Sequence, residues 1–238
     1  MSDPVTIAPP PPRAVVTAGA PVLAVRGIAK TWEGGAGSVL RGIDLELSPA
    51  EVVTISGANG AGKTTLLRIL AGLILPDTGI VQVDGLDPRR NRADFHRRVG
   101  FLSAGNSGLY GRLKAEHHLE FVARLAFMPR SERAGAIARA VDAFELSPFM
   151  GRRVDRTSMG QRQRLRLALA FLHDPRVALL DEPATSLDSD GIALLQRALD
   201  SLRSRGGAAV VCVPTGWTGV TGDRHYELEN GLLRDVAE

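Results

Sequence analysis

Gly57-Ala58-Asn59-Gly60-Ala61-Gly62-Lys63-Thr64-Thr65 is the stretch that decides the fold. Gly57, Gly62, Lys63 and Thr64 satisfy the spacing G-x-x-x-x-G-K-[ST] of a phosphate-binding loop. The β-branched run at 52–56 reads as a strand ending at the first glycine, and 63–71 reads as the helix that follows. Glycines let the backbone curl until successive N–H groups face one anion. The helix then offers the positive end of its dipole to the same anion. In such a loop the lysine reaches the β- and γ-phosphates and the next hydroxyl ligates Mg²⁺. Lys63 and Thr64 take those roles, with Ala58, Asn59, Gly60, Ala61 and Thr65 completing the cradle.

A second acidic element supports this reading. Val177-Ala178-Leu179-Leu180-Asp181-Glu182 is an apolar strand ending in two carboxylates. Asp181 belongs beside the phosphate loop, holding Mg²⁺ through water. Glu182 belongs opposite the γ-phosphate, where it polarises the attacking water.

Outward from these two stretches, strands are expected at 22–28, 43–47, 80–83 and 208–213, and a helix at 191–203. Residues 93–172 are mostly helical in pattern. A terminal hairpin, 226–228 with 232–236, flanks Glu229-Asn230-Gly231. Short apolar strands alternating with helices give an α/β class, with a partly parallel sheet covered on both faces. No internal repeat is present. Residues 1–21 hold six of the 14 prolines, including Pro9-Pro10-Pro11-Pro12, and read as a disordered tail.

Composition narrows the class. In 238 residues, 44% are hydrophobic and 23% charged, as in an ordinary globular domain. Aromatics are only 5%, so the core must be built from Leu, Val, Ile and Ala. No apolar run reaches the ~18–20 residues of a membrane span. The start, Met1-Ser2-Asp3-Pro4, lacks the basic flank and apolar stretch of a secretory signal. One cysteine excludes an internal disulfide framework, and the cytosol is the expected compartment. A net charge of +3 is too mild to indicate nucleic acid as a partner. Only Lys30, Lys63 and Lys114 are lysines, which makes the one inside the glycine loop easy to single out.

Over about residues 22–236 the chain resembles the ATP-binding domain of ABC transporters. The most specific marker is Thr157-Ser158-Met159-Gly160-Gln161-Arg162-Gln163-Arg164, similar to the family's L-S-G-G-Q-x-Q-R signature. Ser158, Gly160, Gln161, Gln163 and Arg164 match; Thr157 and Met159 depart. The resemblance implies that this helix start serves the γ-phosphate of ATP held by the opposite subunit. Ser186-Leu187-Asp188 resembles the loop that crosses the dimer interface. Trp32 stands where the family stacks an aromatic on adenine, among Lys30-Thr31 and Glu33-Gly34-Gly35; a buried core tryptophan is the alternative. The implied fold is a phosphate-loop NTPase core of mixed sheet with flanking helices, an antiparallel β subdomain, and a helical subdomain at about 93–165.

Two departures bear on catalysis. The family's glutamine after a short middle strand, here Val99-Gly100-Phe101-Leu102-Ser103, falls at Ala104, with Asn106 the nearest amide. Its late histidine on the γ-phosphate falls at Thr215. His96, His117, His118, His173 and His225 read as surface or cap residues, and Cys212 as a small buried one. Arg89, Arg90, Arg92, Arg97 and Arg98 form a basic cluster, read as a solvated face or as a contact with the membrane partner or anionic lipid.

The resemblance implies an ATPase, of reduced activity, using ATP and Mg²⁺. It would work as a homodimer or heterodimer on the cytoplasmic face of the membrane, with spanning subunits on a separate chain and no nucleic acid. Leu109-Tyr110-Gly111-Arg112-Leu113 resembles exporter-type members and points toward export of an unnamed substrate. The alternatives are a nucleotide-sensing, weakly hydrolysing subunit and a soluble ATPase of the family not engaged in transport.

Overall fold

A computed structural model describes residues 19–32, 37–105, 108–217 and 219–236. Most of the tail expected at 1–21, together with Glu33-Gly34-Gly35 and Asn106, lies outside the described residues.

Strands β1 (Leu23–Thr31), β2 (Ser38–Leu47) and β4 (Thr78–Val83) form an antiparallel sheet in the order β2-β1-β4. The larger sheet adds β3 (Val52–Ser56), β5 (Val99–Leu102), β6 (Val177–Asp181), β7 (Ala208–Cys212), β8 (Arg224–Glu229) and β9 (Leu232–Asp235) in the order β5-β6-β7-β3-β8-β9. Every pairing in it is parallel except the β8–β9 hairpin. The helices are α1 (Lys63–Leu70), α2 (Arg92–His96), α3 (Ala115–Leu125), α4 (Arg130–Ala143), α5 (Met159–Phe171) and α6 (Ser189–Ser204).

β3, β6 and β7 are buried at every position because both faces are covered. Alternate residues enter different cores. Val53, Ile55, Val177, Leu179, Val210 and Cys212 pack with α1 and the antiparallel sheet. Ala178, Leu180, Ala209 and Val211 pack with α5 and α6 on the other face. The phosphate-loop helix and the signature helix therefore lie on opposite sides of one sheet. Helix α5 approaches β5 closely because position 100 has no side chain: a Cβ there would stand 2.1 Å from the Ala170 carbonyl oxygen.

Strand β1 runs three residues past the expected end at 28. Its alternation breaks at Gly27 (φ 61°), where the pairing registers with β2 and β4 shift, and the ladder then continues with its phase changed. A bulge of this kind hides a strand from period-2 reading. β5 lies inside the stretch read as mostly helical, where the family resemblance places the short middle strand beginning at Val99; its four residues are too few to show a pattern by themselves.

Arg98 departs from the basic surface expected of it. It and Arg176 bracket the buried carboxylate of Asp84 at 3.3 and 3.2 Å, tying the end of β4 to the entrances of β5 and β6. Two histidines also depart from the surface. His118 is 2% exposed; its Nε2 accepts the Tyr110 N–H at 2.9 Å, and its Nδ1 lies 3.0 Å from the Lys114 carbonyl. His173 lies 3.1 Å from the Val99 carbonyl through Nε2, and burial holds its pKa below the usual histidine value. Cys212 is fully buried as expected, and burial pushes its thiol well up. Among the described residues no helix is long and apolar enough to cross a membrane.

Candidate functional site

The site starts where β3 ends. Position 57 must be glycine because a Cβ would meet the Leu228 carbonyl oxygen at 2.6 Å. Gly62 caps α1 with φ 107°, a left-handed conformation that disfavours any side chain. Helix α1 has neither a side-chain cap bond nor an acidic residue in its first turn. Its leading N–H groups are thus left for an anion, and so is the positive end of its dipole.

Lys63 is 6% exposed and folds back into the loop, donating to the carbonyls of Gly57 and, at 3.2 Å, Ala58. The Thr64 hydroxyl donates to Asp181 Oδ2 at 2.6 Å. Asp181 is 1% exposed at the C-terminal end of β6, against which α1 packs. A hydroxyl and a carboxylate at this spacing are hard oxygen donors of the type Mg²⁺ takes, with water and phosphate completing its shell.

Glu182 follows in the left-handed region, φ 49°, and its N–H donates to the Cys212 carbonyl at 2.9 Å. Backbone strain in a non-glycine residue beside a cluster of this kind costs on the order of 1–3 kcal/mol and persists only where neighbours enforce it. A cavity of about 180 Å³ beside Glu182 is walled by Pro183, Val213, Pro214 and Trp217 among others.

An open cleft of about 700 Å³ lies along the phosphate loop. Trp32, Ala58, Asn59, Gly60, Ala61 and Thr215 all line it. Trp32 is 44% exposed, which excludes the core-tryptophan alternative, and the Lys30 ammonium stands 5.2 Å from its ring centroid. The opposite wall is Arg41 and residues 227–231, held by the Arg41 N–H donating to the Gly231 carbonyl at 2.8 Å. Sequence reading took the last of these residues only as a hairpin. Its Asn230-Gly231 turn, both with positive φ, was the available signal that the chain bends back there.

The signature residues lie on the other face of the sheet. Ser158 caps α5: its hydroxyl accepts the Gln161 N–H, and Gln161 Oε1 accepts the Ser158 N–H, each at 3.1 Å. Position 160 faces the Ser186 carbonyl, which a Cβ would meet at 3.2 Å. Asp188 caps α6 through the Gly191 N–H at 2.8 Å and meets Arg164 at 3.3 Å. Those two contacts, the backbone one first, hold its carboxyl below the usual range. The structure thus lines one cleft with Trp32, Thr215 and the loop residues 58–61, keeps Lys63 and the Thr64–Asp181 pair beneath that loop, and puts Ser158, Gly160 and Gln161 on a helix of the other face.

One residue of the region escaped sequence reading altogether. Arg166 is buried in α5 among Leu165, Leu167 and Ala168, and it donates to Gln163 Oε1 at 2.8 Å and to the Ser103 carbonyl. Leu165 and Leu167 on either side are the one hint in the sequence that this arginine is drawn into the core, and they do not identify its partners.

The family described as ABC transporter matches residues 40–185. The ABC transporter ATP-binding protein NatA of Bacillus subtilis (strain 168) is 38% identical over 164 residues, 69% of this chain and 67% of that protein. The probable multidrug ABC transporter ATP-binding protein YbhF of Escherichia coli (strain K12) is 35% identical over 167 residues, 70% of this chain but only 29% of that longer protein. Among solved structures, the dimeric ATP-binding cassette MJ0796, in a post-hydrolysis state bound to ADP and Pi, superposes with a TM-score of 0.79 at 26% identity. It covers 90% of this chain and 97% of its own.

Proposed function

Because this chain belongs to the ABC transporter family, we propose that it is the ATP-binding and ATP-hydrolysing subunit of a transporter whose spanning part is a separate chain. The observation that carries the reading is the buried Lys63 inside its own glycine loop, next to the Thr64–Asp181 pair. Lys63 is held by carbonyls alone, weak partners for an ammonium, and it exchanges them for the β- and γ-phosphates of a nucleotide in the cleft. Trp32 stacks on the base. Thr64 and Asp181 hold Mg²⁺, which supplies charge neutralisation on the transferred phosphoryl group when bound. Glu182 orients a water and takes its proton. Its fixed backbone keeps the carboxylate from having to reorganise during the reaction.

The two-faced arrangement supports a dimer. Ser158 and Gly160 begin a helix that the sheet separates from α1, so they serve a phosphate on a second copy and not their own. MJ0796 is a dimer by its description, and this chain resembles it across almost its full length. We read the second copy as identical to the first. On the helical layer Tyr110, Phe121, Leu125 and Phe127 are exposed, an apolar surface suited to a membrane subunit at the cytoplasmic face. The description of YbhF as a multidrug protein favours export, in line with residues 109–113.

Lys63→Ala tests the assignment. Magnesium-dependent ATP binding and turnover are expected to be lost, and retention of both at unmodified levels overturns it.

A further inference from the structure

We infer that Arg166 is a positioning residue for hydrolysis, clamping the backbone next to Glu182 to the loop that leaves β5. The inference rests on the reading of Glu182 as the hydrolytic carboxylate. One arm of the guanidinium donates to the Ser103 carbonyl, immediately before Ala104. The other donates to Gln163 Oε1 at 2.8 Å, and Gln163 Nε2 in turn donates to the Pro183 carbonyl at 2.7 Å. Ser103, Arg166, Gln163 and Pro183 thus form one chain of bonds from the exit of β5, through the signature helix, to the residue after Glu182.

The geometry calls for arginine. Two acceptors on different elements are met by one planar fork, which a lysine ammonium cannot reproduce with the same stiffness. Gln163 is 4% and Arg166 8% exposed, so neither bond is exchanged readily for water. The left-handed backbone at Glu182 is restrained on both sides: its N–H donates to the Cys212 carbonyl, its carbonyl accepts the Thr185 N–H at 3.2 Å, and its C-terminal neighbour is tied by the Gln163 side chain. Burial lowers the Arg166 pKa, and the charge of Asp181 at the end of β6 partly offsets it.

A residue at this crossing couples two movements. Any shift of the loop at 103–104 pulls on Arg166, then on Gln163, then on the peptide after Glu182. In this chain the link runs backward from α5.

The test uses the full chain with ATP and Mg²⁺, comparing Arg166→Met, Arg166→Lys, Gln163→Leu and the Met/Leu double variant. Turnover is measured alongside affinity for a non-hydrolysable ATP analogue and thermal stability. For Arg166→Met a fall of about 10- to 100-fold in kcat is expected with analogue affinity unchanged, because Lys63 and Thr64 are untouched. Arg166→Lys should fall between. The double variant should lose no more than the worse single variant, since both residues act through one path. Equal losses in kcat and affinity, or losses that multiply in the double variant, mean a structural role and overturn the inference. Should Arg166→Met not fold, Arg166→Lys decides: kcat within about threefold of the unmodified chain overturns it. Unmodified protein that binds the analogue yet shows no turnover overturns the ATPase reading, and the inference with it. Turnover that survives Arg166→Met overturns the inference alone.

Discussion

Ala104 and Thr215 stand where the resemblance expects a glutamine and a histidine, and on the proposed function both bear on rate more than on binding. Thr215 lines the cleft on the turn after β7, but its side chain is too short to extend as an imidazole does. Ala104 offers no side-chain oxygen or nitrogen. A missing contact to a transferring phosphoryl group costs about one to a few kcal/mol of transition-state stabilisation, on the order of 10- to 1000-fold in rate. Turnover should therefore be slow, and Thr215→His should raise it by about tenfold or more, further with Ala104→Gln. Steady-state ATPase assays check this. Turnover of tens per second in the unmodified chain would show that other groups already supply the contacts. Residues with strict spacing were legible in sequence: Lys63 folds into its own glycine loop, and the Thr64 hydroxyl meets Asp181 at 2.6 Å. Arg166 was not, because its partners are a carbonyl 63 positions away and a side chain three positions away on the same helix. No periodicity encodes a bond to a distant backbone oxygen.

Elements were legible where one physical signal dominated. The short apolar runs at 177–180 and in β7 read as strands buried on both faces, and the glycine loop as the start of α1. Legibility failed where a local event reset the pattern, as at Gly27 in β1. Strand β5 was legible through the family resemblance alone, because pairing rather than composition makes it. The contact between α5 and β5 is a further case, since it depends on what position 100 lacks. Gly100→Ala would put a methyl carbon 2.1 Å from the Ala170 oxygen and 2.9 Å from Pro175 Cγ. The nearest of these neighbours is backbone, so α5 must move away from the sheet. A loss of about 1–3 kcal/mol is expected in denaturant unfolding. A midpoint unchanged from the unmodified protein would refute the close packing. Because Ser158 opens the same helix, the variant should also weaken ATP-dependent association.

At the scale of the whole molecule, two cores on either side of one sheet place the phosphate loop and the signature helix back to back. On the proposed function, a single copy is then half of each of two sites. Glu182→Gln spares Lys63, Thr64 and Asp181 while removing the base, so ATP should hold the two copies together without being consumed. Sedimentation with ATP and Mg²⁺ should show a stable dimer for this variant and a monomer without nucleotide. A monomer under both conditions would sink the two-copy arrangement. Such an experiment needs a way to follow the fold itself, and β7 provides one. Cys212 is the chain's single cysteine, fully enclosed between β6 and β3, with its thiol held protonated by burial. A thiol reagent can reach it only after the central strands part. Its labelling half-life is therefore a clock for sub-global opening. That clock should slow when nucleotide joins two copies, and surface cysteines introduced for distance measurements would react against a silent background.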